Sequence, residues 1–167
     1  MSPLRLLAVT ILLAQPLAAQ ETAPAAVPDA PPAPTTIMLR AAGQPAVTVT
    51  PETLATLPML DQRISFESHG GETGDYRGVL LWDLLAANTA VEEDVKTALR
   101  DTVLVTARDG HQVAWAIGDL APDFGNSPVM LAVERDGAAL DQGLRMVVPG
   151  DRRGARNIRD VVRIELR

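Results

Sequence analysis

Residues 144–167 read LRMVVPGDRRGARNIRDVVRIELR. Leu144, Met146, Val147 and Val148 form a short apolar strand that stops at Pro149-Gly150, and Val161 to Leu166 form a closing strand. Between them lies a turn rich in Gly and Arg, with a short helical turn expected to open near Ala155. Seven of the fourteen arginines fall in this stretch: Arg145, Arg152, Arg153, Arg156, Arg159, Arg163 and Arg167. Asp151, Asp160 and Glu165 offset three of them, giving net +4 in a chain of net −6, so the residues before it carry −10. Charge segregated in this way marks a localised anion site or an interface. Backbone N–H groups at a glycine turn, with guanidinium forks beside them, suit a phosphate or similar oxyanion. The alternative is a solvated surface turn whose arginines pair with Asp151, Asp160 and Glu165.

Working outward, the preceding chain alternates strands and short helices irregularly. Ile37–Leu39 and Ala46–Val49 read as strands around the turn at Gly43-Gln44-Pro45. Thr50-Pro51-Glu52 reads as an N-cap followed by proline at the first helical position, opening a helix that runs to Leu57 before Pro58. Arg63–Ser68 alternates as a half-buried strand, and residues 70–74 read as a polar loop. An apolar helix is expected over Val79–Ala87 and a more polar one over Glu92–Arg100. Thr102–Arg108 and His111–Ile117 form a hairpin across Asp109-Gly110, the strongest turn signal in the chain. Pro128–Glu134 adds another strand. With no βαβ rhythm, the expected class is α+β, a single domain with a mixed β-sheet.

Residues 1–19 read as a signal peptide: Arg5, an apolar run from Leu6 to Ala14, and small residues up to Ala19. The run is too short to span a membrane, so no membrane span is expected after signal removal. Residues 20–35 form a Pro/Ala-rich linker, with prolines at 24, 28, 31, 32 and 34. Residues 36–167 are left for one compact domain. The chain has no cysteine, so no disulfide framework supports it. The acidic total and the export signal exclude nucleic acid as a partner, and the expected location is periplasmic or secreted.

The string VVPGDRRGARNIRDVVRIE (147–165) resembles the closing segment of the molybdopterin-binding domain of the sulfite oxidase family. Upstream, Tyr76-Arg77-Gly78-Val79-Leu80-Leu81-Trp82-Asp83-Leu84-Leu85 resembles that family's aromatic-x-Gly-Val-x-Leu-x-Asp-Leu-Leu helix start. Ala107–His111 resembles its A-x-D-G-Y/H hairpin, and Leu131–Gly137 its L-A-x-x-x-D-G segment. The resemblance covers about Ile64 to Leu166 and implies a sulfite oxidase molybdopterin-binding-like fold with molybdopterin as a possible cofactor. It implies that Gly154, Ala155, Arg156 and Arg159 hold the pterin phosphate, with Arg152 and Arg153 adding to the site or facing solvent. The family binds molybdenum through a cysteine thiolate, which this chain lacks; Ser68 or Glu67 stands nearest the vacated position, and no metal ligand is assigned.

Two further residues are drawn into the site. Ser68 and His69 are the candidate catalytic pair, placed beside Glu67 and Glu72; a solvated loop is the plain reading of His69. Tyr76 lines a pocket mouth or packs with a wet hydroxyl, whereas Trp82 and Trp115 are expected in the core. His111 reads as an exposed strand start. Two functions follow. One is an exported, degenerate ligand- or partner-binding module with an Arg-rich anion site, its partner a small anion, a pterin phosphate or a periplasmic protein. The other is an active molybdopterin-dependent oxidoreductase with a non-cysteine metal ligand.

Overall fold

The structure, a computed structural model, describes residues 36–67 and 71–167. The expected signal peptide and linker, and the candidates Ser68 and His69, lie outside the described residues. Among the described residues, ten strands form two five-stranded sheets. In the first, the order is β2 (Val47–Val49), β1 (Ile37–Ala41), β10 (Val161–Leu166), β5 (Thr102–Ala107), β6 (Gln112–Ala116). β1 and β10 pair in parallel and the other pairs are antiparallel, so this sheet is mixed. In the second, β3 (Met59–Phe66), β4 (Glu72–Leu80), β7 (Met130–Arg135) and β8 (Ala138–Ala139) follow one another, and β9 (Arg145–Val147) also pairs with β7. The α+β class is therefore as expected, with the strands divided between two sheets rather than gathered in one.

Local chemistry accounts for most of the elements. The helix α1 (Pro51–Ala55) is capped by Thr50, whose Oγ1 accepts from Thr53 N–H at 3.3 Å, with Pro51 at the start of the helix. The β5–β6 hairpin turns at Gly110, at φ +88°, where only glycine sits without strain. Asp109 Oδ1 accepts from His111 N–H across that turn. The helix α2 (Leu81–Asn88) buries Leu81, Trp82, Leu84 and Leu85. It has no side-chain cap; Leu81 N–H donates to Val129 O at 2.8 Å instead. Two one-turn helices, α3 (Val95–Ala98) and α4 (Ile117–Leu120), complete the set.

One stretch departs from expectation. Residues 72–80 form strand β4, where a polar loop and then a helix from Val79 were expected; the helix begins only at Leu81. Period-two alternation is present, but of its inward positions Gly74, Tyr76 and Gly78, two are glycines, so hydrophobicity does not show it. Gly78 is required: a Cβ there would lie 2.2 Å from Leu131 O on β7. The β4–β7 register shifts at this point, between Arg77 and Gly78.

The main core draws side chains from both sheets and from α1, α2 and α4, including Leu39, Leu54, Leu84, Trp115, Leu131 and Ile164. Trp82 and Trp115 are both buried in it, as expected. A second cluster, Ile64, Phe66, Tyr76, Met130, Ala132 and Val147, belongs to the second sheet alone. That cluster forms the floor under the arginines.

Candidate functional site

The stretch 144–167 folds as two strands in different sheets joined by a pinned loop. Val148 N–H donates to Asn157 Oδ1 at 3.0 Å, closing the loop at its base. Met146 N–H donates to Ile158 O, and Glu67 N–H donates to Arg152 O at 2.7 Å. The expected helical turn is a 3₁₀ turn at Gly154–Arg156. His111 Nε2 lies 3.1 Å from Ala155 O; a carbonyl only accepts, so that nitrogen carries the proton and donates.

The seven arginines divide by partner, Arg152 pairing with Glu67 at 3.2 Å. Arg156 is held by both oxygens of Asp151, with Nε at 2.9 Å from Oδ2, and Arg163 and Arg167 share Glu165. These are the partners a surface turn would use. Asp160 is taken from outside the stretch by Arg108 at 2.7 Å. Arg145 and Arg159 instead reach Glu72, 73 and 87 residues earlier in the chain. Arg153 has no acidic partner among the described residues.

Glu72 is the hub. Its Oε1 accepts from Arg145 Nη1 at 2.7 Å, Arg135 Nη1 at 2.8 Å and the Tyr76 hydroxyl at 2.9 Å. Its Oε2 accepts from Arg145 Nη2 and Arg159 Nη2, both at 3.3 Å. The hydrogen bond from Arg145 is the chief reason its carboxyl is held at about 2; burial opposes this, and the Tyr76 bond and the charges of Arg145 and Arg135 add to it. Burial pushes the Tyr76 phenol up, so the hydroxyl keeps its proton and donates. Arg145 is 5 % exposed, its guanidinium 5.5 Å from the Phe66 ring centre and 5.4 Å from that of Tyr76. One carboxylate faces three guanidiniums; Asp136 also pairs with Arg135 at 3.2 Å, so the cluster keeps an excess of one positive charge.

This cluster opens on a cleft of about 820 Å³ between the two sheets' ends. Arg145, Arg153, Gly154, Ala155, Asn157 and Arg159 line one part of it, and Phe66, Glu67, Glu72, Asp109 and His111 another. Of the cofactor-binding candidates, Gly154, Ala155 and Arg159 lie on the wall; Arg156 does not, because Asp151 draws it away. Two buried donors of wall residues have no acceptor among the described residues: Arg145 Nε and Asn157 Nδ2. An unpaired buried donor costs about 1–3 kcal/mol, so each of these two leaves a hydrogen bond that the described residues do not satisfy.

The charge pattern does not set Arg145 apart from the other arginines, leaves Arg153 between site and solvent, and does not point to His111 or Asn157. The convergence on Glu72 joins β4, β7, β9 and the loop after β9 across 63 to 87 residues of chain and has no local signal. Arg145 alone carries one, as the single charge inside the apolar run LRMVV.

The fold and site thus define an α+β domain of two five-stranded sheets with an arginine-walled cleft at their junction. No family model matches the sequence, and no curated protein matches it. Among solved structures, the sulfane dehydrogenase SoxCD from Paracoccus pantotrophus is similar in fold, with a TM-score of 0.62 at 20 % identity. The match covers 78 % of this chain but 37 % of that one, so this chain spans little more than a third of its length. The fold is sulfite oxidase-like, and the relationship it supports is a distant one of fold.

Such a fold raises molybdopterin as a cofactor, and the residues present fit it only in part. The arginine wall suits a phosphate. The metal end does not fit: the chain has no cysteine, and no group of three His, Cys, Asp or Glu side chains among the described residues gathers to hold an ion. A soft, sulfur-held metal calls for a thiolate, and carboxylate or hydroxyl is not its equivalent.

Proposed function

We propose that this protein is an exported binding module whose arginine-walled cleft takes a small, oxyanion-bearing ligand such as a phosphate ester. The observation that carries this reading is the pair of buried donors, Arg145 Nε and Asn157 Nδ2, unpartnered among the described residues and carried by side chains that line the cleft beside Arg153 and Arg159. Arg153 and Arg159 supply the accessible guanidiniums; Gly154 and Ala155 let the loop approach closely; Phe66 and Ile158 offer apolar contact for whatever carries the anion. A periplasmic protein presenting such a group is the same chemistry in a larger partner.

Calorimetric titration with inorganic pyrophosphate tests this directly. Binding to the wild type, lost in an Arg153→Ala/Arg159→Ala double variant of unchanged fold, is the expected result. Equal affinity in the two proteins removes the cleft from consideration. The fold likeness to a dehydrogenase keeps a second reading in view, a molybdopterin-dependent oxidoreductase with a non-cysteine ligand. Near-stoichiometric molybdenum or tungsten with pterin fluorescence, in protein exported from a cofactor-producing bacterium, decides for the enzyme.

A further inference from the structure

We propose that Glu72 is the specificity-determining residue of the cleft, an internal counter-anion that makes the site select oxyanions of two or more charges, such as diphosphates, over monoanions. This rests on the anion-binding reading above. Glu72 sits on the cleft wall at the point where three guanidiniums meet, its side chain 15 % exposed. It is the first residue of β4, so the strand fixes its position, and its oxygens already accept from Arg135, Arg145, Arg159 and Tyr76. Its low pKa keeps it ionised at any physiological pH.

A monoanion arriving in the cleft therefore meets an arginine centre that holds an equivalent group. A carboxylate or nitrate carries no more charge than Glu72 and would have to replace bonds already made at 2.7 and 2.8 Å. Of the other acids of the wall, Glu67 pairs with Arg152 at 3.2 Å, whereas Asp109 accepts only from His111 N–H and keeps its charge. What remains unmet is one surplus charge at the Glu72 centre, where Asp136 also pairs with Arg135, the charge of Arg153, and the donors Arg145 Nε and Asn157 Nδ2. Only a ligand with several charges and several acceptor oxygens answers all of these while Glu72 stays in place. Selectivity of this kind comes from what is denied to the wrong partner as much as from what is offered to the right one.

The experiment is titration of the full chain with inorganic pyrophosphate and with acetate at matched ionic strength, for wild type and Glu72→Gln. The expected wild-type preference for pyrophosphate is about 30-fold or more, narrowing to less than about fivefold in Glu72→Gln because acetate gains affinity. Comparable wild-type affinities for the two anions overturn the proposal, and so does a preference that survives in Glu72→Gln. If Glu72→Gln does not fold, nitrate competition on the wild type decides. Pyrophosphate binding indifferent to nitrate beyond its ionic-strength effect supports the proposal, and displacement by nitrate overturns it. If neither anion binds the wild type, the anion-binding reading itself falls, a result distinct from loss of selectivity.

Discussion

Replacing Glu72 by Gln should remove a defined share of stability, and only at pH values where the carboxylate is ionised. In the folded protein the carboxyl is held at about 2, against 4.5 when unperturbed. That difference corresponds to about 3 kcal/mol of preference for the ionised form in the native state. The side chain is 15 % exposed, so solvent screens little of it. A depressed carboxyl stabilises above its unfolded pKa and ceases to do so as pH falls through its folded one. The contribution is therefore complete above about pH 5 and gone near pH 2. Urea unfolding, followed by fluorescence of the buried Trp82 and Trp115, reads it. The wild type should exceed Glu72→Gln by about 3 kcal/mol at pH 7, with the gap closing as pH falls towards 2. Glu52 and Asp94, whose carboxyls are lowered by hydrogen bonds from Thr50 and Thr97, titrate alike in both proteins and cancel in the difference. A gap that stays constant from pH 7 to pH 2.5 refutes the claim that Glu72 is the ionised hub of the arginines.

Three other outcomes follow from the same geometry. Gly78→Ala places a Cβ 2.2 Å from Leu131 O, so β4 and β7 must part; the cost is about 3 kcal/mol, read as a fall of roughly 10 °C in Tm. Asn157→Asp keeps the acceptor for Val148 N–H but turns an unpartnered donor into a negative charge. Pyrophosphate affinity should drop about tenfold or more, and Tm should fall measurably because the new carboxylate is buried with only Val148 N–H as a partner. Arg156→Ala, whose guanidinium belongs to Asp151, should leave pyrophosphate affinity within about twofold of wild type, whereas Arg153→Ala should weaken it about tenfold, both by calorimetry.

The contrast between Arg156 and Arg145 explains what could be read from the residues alone. Arg156 stands in the motif, at the turn, in the place where a charged side chain looks most available. Asp151, five positions earlier, takes it, and the two readings of the turn could not be separated by spacing because each needs the same composition. Arg145 stands inside an apolar strand, where a charge carries a signal that the composition of the turn alone does not use. A guanidinium on a buried strand needs a partner, and the partner proves to be Glu72, delivered by a strand that glycine conceals. The strands around the arginine turn and the 107–111 hairpin were legible because their hydrophobicity, glycines and charges alternate locally. The cleft was not, because its wall is assembled by pairing among β3, β4, β7 and β9 and by the loop that Asn157 closes against Val148. The short-range rules thus located the charge, but long-range strand pairing decided which charges remain free to meet a ligand. That sorting leaves Arg153 and Arg159 exposed on the cleft wall, with Arg145 buried beneath them and Glu72 setting the terms on which an anion can enter.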